Sequence, residues 1–134
     1  MNIRAVCHLI SYLLGIIGLT MGVSLVVSFA AADPTSAKYG LAAGGAISLA
    51  GAILIWMLTR GPIELSRRDG FGVATFGWLL AAVFGALPYV ISGTISQPIP
   101  AVFETMSGFT TTGASVLSDL ESLPKGILFW RAMT

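Results

Sequence analysis

Long uncharged runs alternate with short polar breaks along this chain. Residues 5–32 contain no Asp, Glu, Lys or Arg, and a second uncharged run covers residues 39–59. An α-helix rises about 1.5 Å per residue, so about 20 apolar residues cross the hydrocarbon core of a bilayer. The two runs, separated by the turn-forming segment ADPTSAK, therefore predict a hairpin of two transmembrane helices over residues 1–60.

Small residues recur at helical spacing in both predicted spans. Gly40, Gly44 and Ser48 follow one another every four residues in the second span, and Gly18 and Gly22 do so in the first. Such stripes let helix backbones approach closely. They favour packing of the hairpin on itself or on the rest of the protein, and an oligomer contact is the alternative.

The segment after the second span is the most basic loop of the chain. Residues 61–70 carry Arg67 and Arg68, and Arg60 directly precedes them. By the positive-inside rule this loop is cytoplasmic, which places the N-terminus with Arg4 on the same side.

Prolines and glycines divide the next uncharged run, which starts at Gly70 and ends at Phe103. They predict a third span over about residues 71–92, followed by a short apolar helix over residues 99–109 with Pro98 and Pro100 at its start. Such a helix covers only about half of the hydrocarbon thickness, so the chain must turn back. A further apolar run begins at about residue 124.

The segment FTTTGAS follows directly after this half-length helix. Irregular backbone at membrane depth is tolerated only where it is buried in protein or lines a water-filled path. An extended stretch at residues 110–114 can hold a dehydrated cation on its carbonyl oxygens, and a glycine there relieves unusual dihedrals. We therefore expect Thr110, Thr111, Thr112 and Gly113 to line an ion path.

Two charged residues fall within apolar helices of this second half. Glu104 lies in the half-length helix, and Arg131 lies about seven residues into the last one. Charges at membrane depth are expensive unless they are paired or hydrated. We expect a contact between Glu104 and Arg131 that supports the half-length helix, which we call the pore helix.

Composition places the chain in the membrane and excludes several classes of function. Of 134 residues 55% are hydrophobic and 10% charged, and the net charge of +1 offers no basic stripe for nucleic acid. The single cysteine, Cys7, and the single histidine, His8, cannot form a metal cluster by themselves. No nucleophile, base and orienting group occur together, so an enzyme is not expected.

Four segments together resemble the membrane subunit of the bacterial Trk/Ktr potassium uptake systems, most closely the TrkH type. They are RDGF at 68–71, ALPY at 86–89, FETMSGFTTTGAS at 103–115 and LPKGILFWRAM at 123–133. The resemblance implies four linked repeats around one pore, each made of a helix, a pore loop and a second helix. A two-helix hairpin precedes the first repeat. Residues 1–60 are similar to that hairpin, and residues 71–134 are similar to the first repeat.

The resemblance also implies what the chain does. Thr111 and Thr112 would supply oxygens that coordinate potassium, Thr110 and Gly113 would complete the strand, and potassium would be the only metal, with no covalently bound cofactor. The process would be potassium symport across the bacterial cytoplasmic membrane. Partners would be a cytosolic nucleotide-binding regulatory subunit and a second copy of the full-length chain as a homodimer, in the lipid membrane.

The last predicted helix, at residues 124–134, is too short to finish crossing a membrane, and the chain has one filter segment where a pore needs four. The sequence therefore predicts the N-terminal portion of a transporter, truncated in its last helix and inactive by itself. The alternative is a non-conducting membrane assembly or packing subunit.

Overall fold

The computed structural model describes residues 2–61 and 66–134, and over these residues it contains helices and no β-strand. The all-helical prediction is confirmed for this part of the chain. Ile3–Ala30, Thr35–Leu58 and Arg68–Ser92 are each long and apolar enough to cross a membrane. The helices are α1 Ile3–Ala30, α2 Thr35–Leu58, α3 Arg67–Gly85, α4 Leu87–Ser92, α5 Pro98–Phe109 and α6 Lys125–Met133.

Helices α1 and α2 form a closely packed hairpin. A Cβ atom added to Gly18 would lie 2.7 Å from Cγ of Leu49, so the small residue is what allows this approach. His8 is buried, and its Nδ1 lies 2.9 Å from the hydroxyl of Thr59, the residue that follows α2. His8 is thus a packing residue that joins the two helices.

A face of α2 that is lined by small residues contacts α4. A Cβ on Gly40 would lie 2.8 Å from the Pro88 carbonyl oxygen, and one on Gly44 would lie 3.1 Å from Pro88 Cδ. This part of the stripe is therefore covered within the same chain. Gly22 of the other stripe has no described atom within 4 Å of a Cβ position.

The third span consists of two helices with a break between them. Helix α3 ends at Gly85, and α4 starts at Leu87 with Pro88 in its first turn. Pro88 has no amide hydrogen to continue the helical ladder, which explains the break. The single helix expected over residues 71–92 is therefore divided here. Of the expected loop at residues 61–70, residues 62–65 lie outside the described residues.

The N-terminus is tied to the start of α3. Asp69 is buried; its carboxylate accepts hydrogen bonds from the Ser66 amide at 2.8 Å and from the Asn2 amide at 2.6 Å. The Arg4 guanidinium donates to the Arg60 carbonyl oxygen. Arg4, Arg60 and the N-terminus of α3 thus lie at one end of the helices, whereas the turn between α1 and α2 lies at the other.

The main core joins the hairpin to the second half of the chain. Its buried members come from α1, α2, α3, α4, α5 and α6, and Trp130 of α6 donates from Nε1 to the Gly85 carbonyl oxygen at 3.0 Å. Large apolar side chains such as Leu19, Val26 and Phe71 are at least 60% exposed, as suits contact with lipid. The core residues are Ile17, Met21, Ala37, Leu41, Ala81, Ala86, Tyr89, Ile95, Ala101, Ile127 and Trp130.

Candidate functional site

Helix α5 is a half-length helix whose ends are set by its sequence. Its 12 residues start at Pro98, and Pro100 also lies in the first turn, where an amide hydrogen has no helical partner. At about 1.5 Å per residue the helix is about 18 Å long, well short of the roughly 30 Å of hydrocarbon. The buried face of α5 includes Glu104, Thr105 and Ser107, so its polar side chains point into protein.

The threonines end α5 in a Schellman motif. The Thr111 amide donates to the Gly108 carbonyl oxygen at 2.9 Å, and the Thr112 amide donates to that of Ser107 at 3.0 Å. This motif requires a left-handed residue directly after the helix C-cap. Thr111 occupies that position, with φ +54°. Glycine normally takes this position, because the left-handed region is costly for a β-branched side chain. Thr111 is therefore a strained residue within the expected ion path.

The backbone after α5 differs from the extended strand that the sequence predicts at residues 110–113. Thr110 lies in the bridge region, with φ −87° and ψ 4°, Thr111 is left-handed, and Gly113 is left-handed with φ +75°. The hydrogen bonds back to α5 impose this path. No described atom lies within 4 Å of a Cβ position on Gly113, so its conformation rather than its surroundings requires glycine.

The side chains of the threonines are exposed and interact with one another. Thr110 donates from Oγ1 to the Met106 carbonyl oxygen at 2.7 Å, and its Oγ1 lies 2.8 Å from that of Thr112. Thr110, Thr111, Thr112 and Gly113 are all exposed over the described residues. The four expected ion-binding residues thus form one continuous open surface.

Glu104 anchors the segment that returns from the threonines. Its carboxylate accepts hydrogen bonds from the Val116 amide at 2.8 Å and from the Ser115 hydroxyl at 2.9 Å. Only 3% of the residue is exposed. A buried carboxylate needs such donors, because its burial without hydrogen bonds costs on the order of several kcal/mol of folding free energy. Glu104 therefore joins α5 to the backbone just beyond the threonines.

Arg131 of α6 completes this cluster. Its Nε lies 2.7 Å from Oε1 of Glu104, and 30% of the arginine side chain is exposed against 2% of the glutamate side chain. The structure thus brings together the two charged residues that the sequence paired. The pair joins the last helix to the half-length helix.

Ser107 makes a second connection to the returning segment. Its hydroxyl donates to the Ala114 carbonyl oxygen at 2.6 Å. A cavity of about 310 Å³ opens beside this contact, between α5, the threonine segment and α6. The residues that line it include Glu104, Ser107, Thr111, Gly113 and Arg131.

Sequence reasoning missed two of these contact residues, Ser107 and Ser115. Ser107 follows Glu104 by three residues, a spacing that places both on one face of a helix. Two polar residues on one face of an apolar half-length helix were the available signal. Across the described residues, no three His, Cys, Asp or Glu side chains are grouped so that they could hold a metal ion.

Comparisons with known proteins identify the family. Residues 36–134 match the family TrkH, described as a cation transport protein. The chain is 34% identical over 132 residues to the Trk system potassium uptake protein TrkH of Halomonas elongata, covering 98% of this chain and 27% of the relative. It is 33% identical over 134 residues to the TrkH protein of Escherichia coli, covering 99% of this chain and 28% of the relative.

A solved structure has the same fold over nearly all of the chain. The crystal structure of the potassium transporter TrkH from Vibrio parahaemolyticus matches with a TM-score of 0.87 and 31% identity, covering 98% of this chain and 28% of that one. The chain thus spans little more than a quarter of these relatives, whose names describe transport and not an enzyme. This chain belongs to the TrkH family of cation transport proteins.

Proposed function

We propose that residues 110–114 form one of the four filter segments of a potassium uptake pathway, with oxygens of Thr110, Thr111, Thr112 and Gly113 facing the ion. The observation that carries the proposal is the junction at the end of α5. There a half-length helix passes into an exposed, non-helical segment with two left-handed residues. Such backbone at membrane depth belongs beside a water-filled path.

The hydrogen bonds of this segment support a role for its carbonyl groups. The amides of Thr111 and Thr112 donate to carbonyl oxygens of α5. In a trans peptide group the C=O points opposite to the N–H, so the carbonyl groups of Thr110 and Thr111 turn away from α5. There they can replace water around a cation.

The electrostatics of α5 favour a cation over an anion. The C-terminal end of a helix carries partial negative charge, and α5 ends directly at Thr110. Glu104 is neutralised by Arg131, so this pair adds no net charge beside the path. We assign the pair to support of the pore helix. Potassium is the ion we propose because the relatives in Halomonas elongata and Escherichia coli are named potassium uptake proteins.

The proposal includes a topology and partners. Arg4 and Arg60 lie at one end of the hairpin, which supports a cytoplasmic N-terminus in a bacterial cytoplasmic membrane by the positive-inside rule. We extend it to a nucleotide-binding regulatory subunit on that side and to a homodimer of the full-length gene product, both on the resemblance to Trk systems. The boundaries 1–60, 61–70 and 71–134 then separate the hairpin, the basic loop and the first pore-loop repeat.

The test is ion selectivity of Gly113→Ser in the full-length gene product. Uptake of potassium and sodium is measured in bacteria that lack their own potassium uptake systems. We expect the potassium preference to fall by about tenfold, which corresponds to about 1.4 kcal/mol of preferential binding. An unchanged preference would refute the filter assignment and would favour a packing role for this segment.

Gly93→Ser is the matched control. Gly93 has φ +76°, against +75° for Gly113, and neither glycine has a described atom within 4 Å of a Cβ position. Both substitutions therefore introduce the same backbone strain, but Gly93 lies at the end of α4. Equal loss of selectivity in the two variants would show that strain alone, rather than the place of Gly113, is responsible.

A further inference from the structure

Asp33 is a buried carboxylate that the candidate site does not include. It lies in the short turn between α1 and α2, and 8% of it is exposed. Its oxygens accept hydrogen bonds from the Ser28 hydroxyl at 2.8 Å, the Lys125 amide at 2.9 Å and the Gly126 amide at 2.7 Å. Two of the three donors are thus in the first turn of α6, more than 90 residues later in the sequence.

Helix α6 has no capping side chain of its own. Its N-cap residue is Pro124, which makes no side-chain bond, and its first turn contains no acidic residue. The first amides of any helix lack helical partners, and a carboxylate there satisfies them and opposes the positive end of the helix dipole. Asp33 supplies this cap from the hairpin.

The contact between hairpin and α6 is also sterically close. A Cβ atom on Gly126 would lie 2.4 Å from Cβ of Ser28 and 3.0 Å from Cδ1 of Leu41. The start of α6 therefore sits directly against both helices of the hairpin, with the Asp33 carboxylate beside it. This close approach leaves α6 little freedom to shift along the hairpin without losing the capping bonds.

Helix α6 connects this contact to the candidate filter. Arg131, five residues after Gly126, bonds to Glu104, and Glu104 in turn holds the amide of Val116. Trp130 fixes the same helix to the Gly85 carbonyl oxygen. A helix of nine residues thus has the Asp33 cap at one end and the anchor of the returning filter segment at the other.

We propose that Asp33 is a positioning residue for the filter, acting through α6: the hairpin holds α6 in register, and α6 holds Glu104 and the segment after the threonines. This inference rests on the proposed function for its effect on selectivity. It gives the N-terminal hairpin a specific task in ion selection beyond packing.

The test combines hydrogen exchange with ion uptake in the full-length gene product. In Asp33→Ala we expect the amides of Lys125 and Gly126 to exchange about 2- to 30-fold faster, the range for loss of a helix cap. Exchange should also rise at residues 110–117, and the potassium preference should fall by at least about twofold. Asp33→Asn keeps one acceptor oxygen, so its effects should be intermediate.

Asp119→Asn is the matched control, because it removes an exposed carboxylate whose bonds, among the described residues, stay within its own loop. It should leave exchange in α6 unchanged. Gly126→Ala is a second perturbation, which keeps Asp33 but pushes α6 away from Ser28, and it should lower selectivity in the same direction. It applies even where Asp33→Ala does not fold.

Two results would overturn the inference. Unchanged exchange at Lys125 and Gly126 in both Asp33 variants would refute the cap. Faster exchange in α6 with unchanged selectivity, in a protein where Gly113→Ser does lower selectivity, would refute the coupling and leave the proposed function intact. Unchanged selectivity in Gly113→Ser as well would instead refute the filter assignment on which the inference depends.

Discussion

Removing Arg131 should destabilise the protein more than neutralising its partner Glu104. Arg131→Met leaves a glutamate side chain that is 2% exposed, with donors remaining from Ser115 and Val116 but no positive charge. Breaking a buried ion pair by removing one partner costs about 3–5 kcal/mol, because the other charge stays buried. We therefore expect Arg131→Met to lower the free energy of unfolding by about 4 kcal/mol.

Glu104→Gln leaves a different residue behind. The Arg131 side chain is 30% exposed, so water can hydrate the unpaired guanidinium. The glutamine oxygen still accepts from two of the former donors, and each bond weakens by about 1 kcal/mol when the acceptor loses its charge. The expected loss is therefore about 2 kcal/mol, half of that for Arg131→Met.

The double variant gives the sharpest test of this reasoning. With both changes no charge is buried, so the loss should be about 3 kcal/mol rather than the sum of about 6. Equilibrium unfolding of the purified full-length protein in mixed micelles of SDS and a mild detergent, followed by tryptophan fluorescence, measures all four free energies. The double variant should be at least as stable as Arg131→Met alone.

Arg68→Met is the control, because Arg68 is exposed at the start of α3 and should change stability by no more than about 0.5 kcal/mol. Additive losses in the double variant would mean that Glu104 and Arg131 do not depend on each other. Equal losses in the two single variants would mean that the burial of Glu104 has no energetic consequence. The first result would refute the pair as one supporting unit, and the second would refute the asymmetry expected from the burial of Glu104.

Three further predictions follow from individual contacts. Thr111→Gly should raise the free energy of unfolding by about 1 kcal/mol, because glycine removes the left-handed strain, and it should lower the potassium preference. Unfolding in SDS measures the first effect and ion uptake measures the second. A lower free energy of unfolding would show that Thr111 is not strained. Gly85→Ala should lower the free energy of unfolding by about 1–3 kcal/mol, because the new Cβ would lie 2.5 Å from Thr105 Cγ2. Gly70→Ala is the control, because no described atom lies within 4 Å of its Cβ position. Equal unfolding curves for the two variants would exclude the close contact at Gly85. Burial opposes ionisation of Asp33, but bonds from the Gly126 amide, the Ser28 hydroxyl and the Lys125 amide hold its pKa below the ordinary value. Its stabilisation should therefore be complete above about pH 4 and disappear as the pH falls through the lower folded-state pKa; a stability difference between wild type and Asp33→Asn that shrinks from pH 7 to about 5 would contradict this sign.

The helical spans could be predicted because a bilayer leaves few alternatives. Residues 5–32 and 39–59 carry no charge, and an uncharged run of this length forms a helix in lipid. The break between α3 and α4 was not predicted. A proline within a span is compatible with a bend or with two helices; here α3 and α4 are separate helices, and Pro88 lies close to Gly40 and Gly44.

The candidate site could be predicted in part. Glu104 and Arg131 were paired because few charged residues lie within the apolar helices, and the cost of burying a charge requires a partner. Thr111 was expected to be extended, as is usual for a β-branched residue. Its left-handed conformation follows from bonds back to α5, which no local pattern reveals. Asp33 was missed because its partners on α6 are more than 90 residues away.

The strain at Thr111 and the anchors beyond it have one physical explanation. The left-handed region costs a residue such as threonine about 1–2 kcal/mol. The amides of Thr111 and Thr112 bond back to α5, and Ser107 and Glu104 hold Ala114 and Val116 further along the chain. Four bonds of about 0.5–1.5 kcal/mol each outweigh this strain, and all four end on the same helix. The shape of the segment is therefore imposed by its bonds to α5, and the threonines occupy a backbone path that they would not adopt by themselves.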